Sequence, residues 1–174
     1  AAAAPVKPTK NGKTGVIGTA ATVASGSHKR EILKLMDNAC VTACSCSLFV
    51  PLVEVGWYSA DDIVVRETVK RYLIPIIDAG CDTLILGCTH YPVLTEVIDD
   101  VLGGNVTLIN PGVAVAGAVE NYLTDNAFGA ETHKAGKHEF YVTDKPHLFK
   151  NLAAVLLGED INENRVKQVE LDSL

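Results

Sequence analysis

The stretch TLILGCTHYPVL, Thr83 to Leu94, sets a cysteine, a threonine and a histidine in succession behind a glycine. A thiolate is both a base and a nucleophile, and an imidazole two residues away can take or return its proton. A free cysteine titrates at about 8.5, and a helix N-terminus or a nearby imidazolium lowers that value toward neutrality. Cys88 therefore has two chemical readings, a covalent nucleophile or a proton carrier. Papain-like nucleophilic chemistry also needs a third group to hold the His90 tautomer. No such Asp or Asn is identifiable from the spacing, so the residues leave both roles open. The plain structural alternative is that Cys88 packs, Thr89 caps a helix and His90 bonds the backbone.

A second stretch repeats the design. In VIGTAATVASG, Gly18 and Thr19 stand at the end of an apolar run, with Thr22 in the turn that follows. A Gly-Thr pair at a strand end is by itself only a turn and a cap. Two strand tips carrying hydroxyls and a thiol would share one cleft if their strands lie close together.

The elements that must position these residues follow from periodicity. KTGVIGT reads as a short buried strand and CVTACS, DTLILGC and NVTLIN as further strands, with no polar alternation in DTLILGC, as expected of a central parallel strand covered on both faces. Between them run helical patterns. One is ATVASGSHKREILKLMDN, with Ile32, Leu33, Leu35 and Met36 on its apolar side. SADDIVVRETVKRYLIPIIDAG is the clearest, with a Ser59–Asp62 capping box and an inward face of Ile63, Val65, Val69, Leu73, Ile76 and Ile77. Pro75 is expected to kink this helix and Gly80 to follow its end. PVLTEVIDDVLG opens on Pro92 in a first turn, and PGVAVAGAVENYLTDN is the last of the series. LFVPLVEVGW stays ambiguous because Pro51 interrupts it.

Strand alternating with helix predicts an α/β fold, a doubly wound and mainly parallel sheet flanked by helices. In such sheets, ligands bind beyond the carboxyl ends of the strands, which is where Cys88 falls. The composition changes after Asn126. AFGAETHKAGK reads as a loop, and HEFYVTD, KPHLFKNLAAVLLG and NRVKQVEL as a strand, a helix and a strand. The domain expectation is thus 1–127 for the α/β domain and 128–174 for a separate segment.

Composition narrows the partners. A formal net charge of −6 with scattered Lys and Arg argues against nucleic acid. The HKR cluster at His28 to Arg30 reads as a solvated helix face. No apolar run reaches the ~18 residues of a membrane span, and AAAAPVKPTKNG lacks the pattern of a signal peptide. The five cysteines, Cys40, Cys44, Cys46, Cys81 and Cys88, form neither a disulfide framework nor a zinc pattern. The expectation is a cytoplasmic protein without a metal.

The hexapeptide Gly-Cys-Thr-His-Tyr-Pro at 87–92, with TGVIGTAATVASG, LFVPLVEVGW and GKHEFYVTD in that order, resembles the glutamate racemase family of the aspartate/glutamate racemase superfamily. The likeness runs from about Ala1 to Leu171. It implies interconversion of L- and D-glutamate by two thiols on opposite faces of Cα, without a cofactor. By position, Cys88 resembles the thiol that deprotonates L-glutamate, and His90 the histidine that assists it. Thr89, Thr22 and Thr19 match residues that hold the substrate's polar groups. Glu54 resembles an acidic residue associated with His90, the alternative being a plain surface carboxylate. Aspartate or hydantoin racemisation, and a non-catalytic binding module of the same descent, are the alternatives.

The departures are as informative. The family carries an early Asp-Ser-Gly segment and a first catalytic cysteine in Cys-Asn-Thr, and neither occurs here. ACSCSLF at 43–49 also departs from the family's Ala-Cys-Pro-Leu-Phe form. The resemblance implies one catalytic face, a missing N-terminal half-domain as partner, inactivity of the chain alone, and a segment after about Phe128 that would complete the missing half. Apolar surface left bare on that segment would favour a homo-oligomer.

Overall fold

The computed structural model describes residues 9–129, 138–158, 161–162 and 165–170. The chain divides into two compact units, the first ending at Phe128 and the second beginning at Gly129.

In the first unit, β1 (Lys13–Gly18), β2 (Cys40–Ser45), β3 (Thr83–Gly87) and β4 (Thr107–Ile109) form a parallel sheet in the order β2-β1-β3-β4. The two central strands are apolar and almost wholly buried, because each is covered on both faces. On one face Val16 and Ile85 pack on Ile32, flanked by Val41 and Ile109. On the other, Gly15 leaves room for Leu84 and Ile76; a Cβ there would stand 2.9 Å from Leu84 Cδ1. The sheet is doubly wound, as the alternation of strand and helix predicts.

Each crossover has a local cause. The helical pattern after β1 breaks in two, α1 (Ala20–Ser25) and α2 (Ser27–Leu35), because Gly26 adopts φ 61°, a left-handed turn that bulkier residues resist. The segment LFVPLVEVGW resolves as a short helix, α3 (Phe49–Glu54). The helix α4 (Ile63–Asp78) starts at Asp62 rather than in a Ser59 capping box. The Asp62 carboxylate accepts from the amides of Val64 at 2.7 Å and Val65 at 3.1 Å. Val65, Val69, Leu73 and Ile76 are fully buried, whereas Ile63 and Ile77, expected on the same face, are exposed. By 3.6-residue periodicity Ile77 lies at the margin of that face and Ile63 falls beyond it, on the solvent side. The helix runs through Pro75 without ending.

After β3, a 3-10 turn (Tyr91–Leu94) leads into α5 (Thr95–Val101), and after β4 comes α6 (Pro111–Asp125). Asn110 caps α6, its side-chain oxygen accepting from the amide of Gly112 at 2.9 Å. Arg66 of α4 meets Asp100 of α5 at 3.0 Å. Among the described residues no helix is long and apolar enough to cross a membrane.

The second unit contains β5 (Phe140–Val142), α7 (Pro146–Leu157) and β6 (Val166–Gln168), with β5 and β6 parallel. Ala153, Ile161 and Val166 form its small core against Phe140, Val142 and Phe149. Residues 130–137 of the expected loop fall outside the described residues.

Candidate active site

β1 and β3 are direct neighbours, with Gly18 registered against Gly87. The chain leaves β1 toward β2 on one side and returns through β3 on the other, so the sheet's topological switch point lies between them. A crevice opens at the carboxyl ends of two such strands. Both glycines are required by close approach. A Cβ on Gly87 would stand 2.7 Å from the carbonyl oxygen of Ile17, and one on Gly18 would stand 2.9 Å from Thr22 Cγ2.

Just beyond these glycines the chemistry-bearing residues converge in two groups. On the β1 side, the Thr19 hydroxyl caps α1 by accepting from the Thr22 amide, and it lies 3.0 Å from the Thr22 hydroxyl. On the β3 side, Cys88 is half-buried and Thr89 exposed. His90 turns its Nδ1 toward both, 4.0 Å from Cys88 Sγ and 3.4 Å from Thr89 Oγ1. Its Nε2 lies 3.4 Å from Glu54 Oε1 at the end of α3. That Nε2 is buried, and the Glu54 contact lacks hydrogen-bond alignment. Thiol, imidazole and carboxylate thus form one chain of groups, looser than a closed hydrogen-bond relay. Such spacing is common in the absence of substrate and tightens around it.

Tyr91 fixes this arrangement from beneath. Its phenol is fully buried and donates to the Cys46 carbonyl at 2.9 Å, tying the turn after β3 to the end of β2. Burial pushes the phenol well above its ordinary pKa, so it stays a donor. Phe49, the first residue of α3, makes edge-to-face contact with Tyr91 at 5.1 Å and with Tyr72 of α4 at 5.3 Å. The helix that presents Glu54 is therefore anchored to the turn that presents His90.

The other cysteines are poorly placed for the same chemistry. Cys46 follows β2 but is fully buried, and burial, followed by the neighbouring Cys44, drives its thiol far above the usual range. Cys44 donates to the Tyr72 carbonyl at 3.1 Å. Cys40 and Cys81 lie at the amino ends of the strands, and burial raises the Cys81 thiol as well. Among the described residues, no cluster of three His, Cys, Asp or Glu side chains could hold a metal ion.

Sequence reasoning missed one neighbour of the site. His28 belongs to the HKR cluster expected on a solvated face, yet it is half-buried, and its Cε1 would lie 3.5 Å from a Cβ on Gly87. Its Nδ1 is buried without a hydrogen-bond partner. The break at Gly26 turns it inward, and the glycine inside the helical pattern was the one available signal.

Residues 1–119 match the sequence model of the Asp/Glu/Hydantoin racemase family. The chain belongs to that family. Its curated relatives include the glutamate racemase of Sulfurihydrogenibium sp. (strain YO3AOP1), 38% identical over 169 residues. That match spans 97% of this chain and 61% of the relative. Another is the glutamate racemase of Enterococcus faecalis (strain V583), 41% identical over 172 residues, spanning 98% of this chain and 61% of the relative. Among solved structures, a glutamate racemase from Francisella tularensis in complex with D-glutamate superposes with a TM-score of 0.84 at 34% identity. It covers 94% of this chain and 59% of that one. This racemase-family chain therefore spans about three-fifths of the length of the relatives it matches.

Proposed function

We propose that this chain is the part of a glutamate racemase that carries one of its two acid–base thiols. The observation that carries the proposal is the line Cys88 Sγ, His90 Nδ1, His90 Nε2, Glu54 Oε1, drawn at the switch point of the sheet. Cys88, as thiolate, removes the Cα proton of L-glutamate. His90 Nδ1 takes the thiol proton beforehand; the Cα proton then makes the sulfur a thiol again, the imidazolium gives its proton to solvent, and Glu54 holds the ring so that Nδ1 faces the sulfur. The hydroxyls of Thr19, Thr22 and Thr89 hold the substrate's carboxylate and ammonium groups. Fixed dipoles, rather than a pyridoxal ring, then stabilise carbanion character at Cα.

Return of a proton to the opposite face needs a second thiol. The remaining four cysteines are buried, bonded to backbone or at the far end of the sheet. In this proposal the second thiol comes from the two-fifths of the relatives' length that the chain does not span. The chain alone therefore does not racemise glutamate, and its second unit completes the absent half. The D-glutamate formed by the assembled cytoplasmic enzyme serves peptidoglycan synthesis, and with it cell shape. The Francisella relative's complex with D-glutamate favours glutamate over aspartate or a hydantoin.

Differential alkylation tests the site. Iodoacetamide at neutral pH, with each cysteine quantified by mass spectrometry, should modify Cys88 ahead of the other four. His90→Gln should slow that modification while the others keep their rates. Preferential labelling elsewhere, or an unchanged rate in the variant, would remove the basis for the proposal. D-glutamate produced with sustained turnover by the chain alone would refute the one-face reading.

A further inference from the structure

His28 is a histidine beside the site for which the proposed chemistry has no use. It stands in the first turn of α2, one turn before Ile32, whose side chain packs on the sheet. Side chains on β3 alternate between the two faces. Leu84 points to the α4 side, where it and Ile76 reach over Gly15, and Ile85 points to the α2 side, against Ile32. Gly87 therefore turns its bare Cα toward α2. There the His28 ring takes the room a side chain would need, with Cε1 3.5 Å and Nε2 3.6 Å from where a Cβ would stand. By the same alternation on β1, Gly18 faces the α2 side, where it meets Thr22. The thiol and its imidazole belong to the other flank, since His90 meets Glu54 on α3, and Tyr91 packs on Phe49 beside Tyr72 of α4. The tip of β3 thus has the reacting groups on one side and Thr22 with His28 on the other.

The two ring nitrogens of His28 differ. Nδ1 is enclosed and has no hydrogen-bond partner. Nε2, the nitrogen beside Gly87, also lacks a partner among the described residues, but it is not enclosed, so it is the one a ligand can reach. Orphaned N–H groups are rarer in protein interiors than acceptors left short of a partner. The enclosed Nδ1 therefore carries the bare lone pair, and the proton sits on Nε2. We propose that His28 is a specificity-determining residue, its Nε2–H donating to the side-chain carboxylate of an amino acid whose Cα lies against Cys88. This rests on the proposed function and deepens it. Thr19, Thr22 and Thr89 are assigned there to the groups on Cα, which leaves the far end of the substrate without a partner. That side chain crosses the tip of β3 from the thiol flank to the α2 flank, over the backbone at Gly87. A donor held by packing at the end of this path favours a ligand that ends in an anion, because hydrogen bonds to charged oxygens are the stronger ones.

The test measures how far a ligand shields Cys88 from iodoacetamide in the full chain, with L-glutamate and L-norvaline as probes. Norvaline has the same carbon skeleton and ends in a methyl group where glutamate has its carboxylate. Each protein's rate is referred to its own ligand-free rate at matched ionic strength. In wild type, glutamate should give half-protection at a concentration about tenfold or more below that of norvaline, the scale of one hydrogen bond to a charged group. His28→Phe keeps a ring over Gly87 and removes the donor. It should raise the glutamate concentration about tenfold and leave that of norvaline within about twofold. Nitrogen NMR of the histidine-labelled wild type adds a readout that packing alone does not move. His28 should show the Nε2–H tautomer, and its Nε2 resonance should shift with glutamate and not with norvaline. The proposal is overturned if the Phe variant keeps the gap between the ligands, if it weakens both alike, or if the proton is found on Nδ1. In each of those cases glutamate still shields Cys88 in the wild type, and the proposed function stands without His28. If neither ligand shields Cys88 in the wild type, the proposed function fails and the role of His28 fails with it.

Discussion

The two ends of the β1–β3 pair solve opposite problems. At the amino end, the Asp82 carboxylate accepts hydrogen bonds from the Thr9 hydroxyl, the Lys10 amide at 2.7 Å, the Asn11 amide at 2.8 Å and the Thr83 hydroxyl at 3.0 Å. Burial alone would raise its pKa; the bonds from Thr9, Asn11, Thr83 and Lys10 together outweigh that and hold it below the usual carboxylate range. At the carboxyl end, His90 Nε2 and His28 Nδ1 are buried without a hydrogen bond. A saturated carboxylate clamps segment 9–11 to the sheet and has no capacity left for a ligand. Unsatisfied buried nitrogens cost stability and persist where a substrate or a proton transfer uses them. Under the proposed function, the same pair of strands separates holding the fold from handling the chemistry.

The strongest way to break this comparison is at the tips themselves. Gly87→Ala should cost up to about 3 kcal/mol in urea-induced unfolding, because the new Cβ meets backbone, the Ile17 carbonyl, which moves only if the strands part. Gly18→Ala should cost about 1 kcal/mol, since its Cβ meets the Thr22 side chain, which has room to give. The reverse order would show that the crevice is not fixed by that backbone approach. Next, His90→Gln should lower the rate of Cys88 alkylation about tenfold while stability shifts by under about 0.5 kcal/mol. A stability loss without a rate change would make His90 a packing residue.

Asp82→Asn should do the converse. It should cost about 1 kcal/mol at neutral pH, after allowance for solvent screening, and leave Cys88 alkylation unchanged. Its pH dependence has a definite sign. A carboxyl whose folded pKa is depressed contributes stability above its unfolded value of about 3.9 and loses it as pH falls through the folded value. The gap between wild type and variant should therefore narrow below about pH 4. The smallest effect is expected from Thr22→Val, a few tenths of a kcal/mol, because the Thr19 hydroxyl still accepts from the residue-22 amide.

Much of this was legible in the sequence. The run at 83–87 announced a central parallel strand, since no polar alternation breaks it, and the stretch at 13–19 announced a buried strand. The Gly-Cys-Thr-His succession marked a strand tip, where an apolar pattern stops abruptly. Other parts depended on tertiary placement. The direct neighbourhood of β1 and β3 is set by crossover handedness and sheet order, which no local pattern states. Ile63 and Ile77 share the composition of the core, but Ile77 lies at the edge of α4's buried arc and Ile63 outside it. His28 looked like one of three solvated basic residues until the Gly26 turn rotated it inward. The start of α4 was misplaced by one turn because Ser59 and Asp62 are both competent caps, and packing selected the second.

The ring of Phe49, held between Tyr72 and Tyr91, bears on how this lineage tolerates change. Whatever precedes α3 in the 43–48 stretch, where the family's customary proline is missing, the aromatic wedge resets the course of the chain before it reaches residue 54. Drift upstream is thereby absorbed, and the distance from carboxylate to imidazole is inherited from a knot of rings rather than from the loop's own spelling.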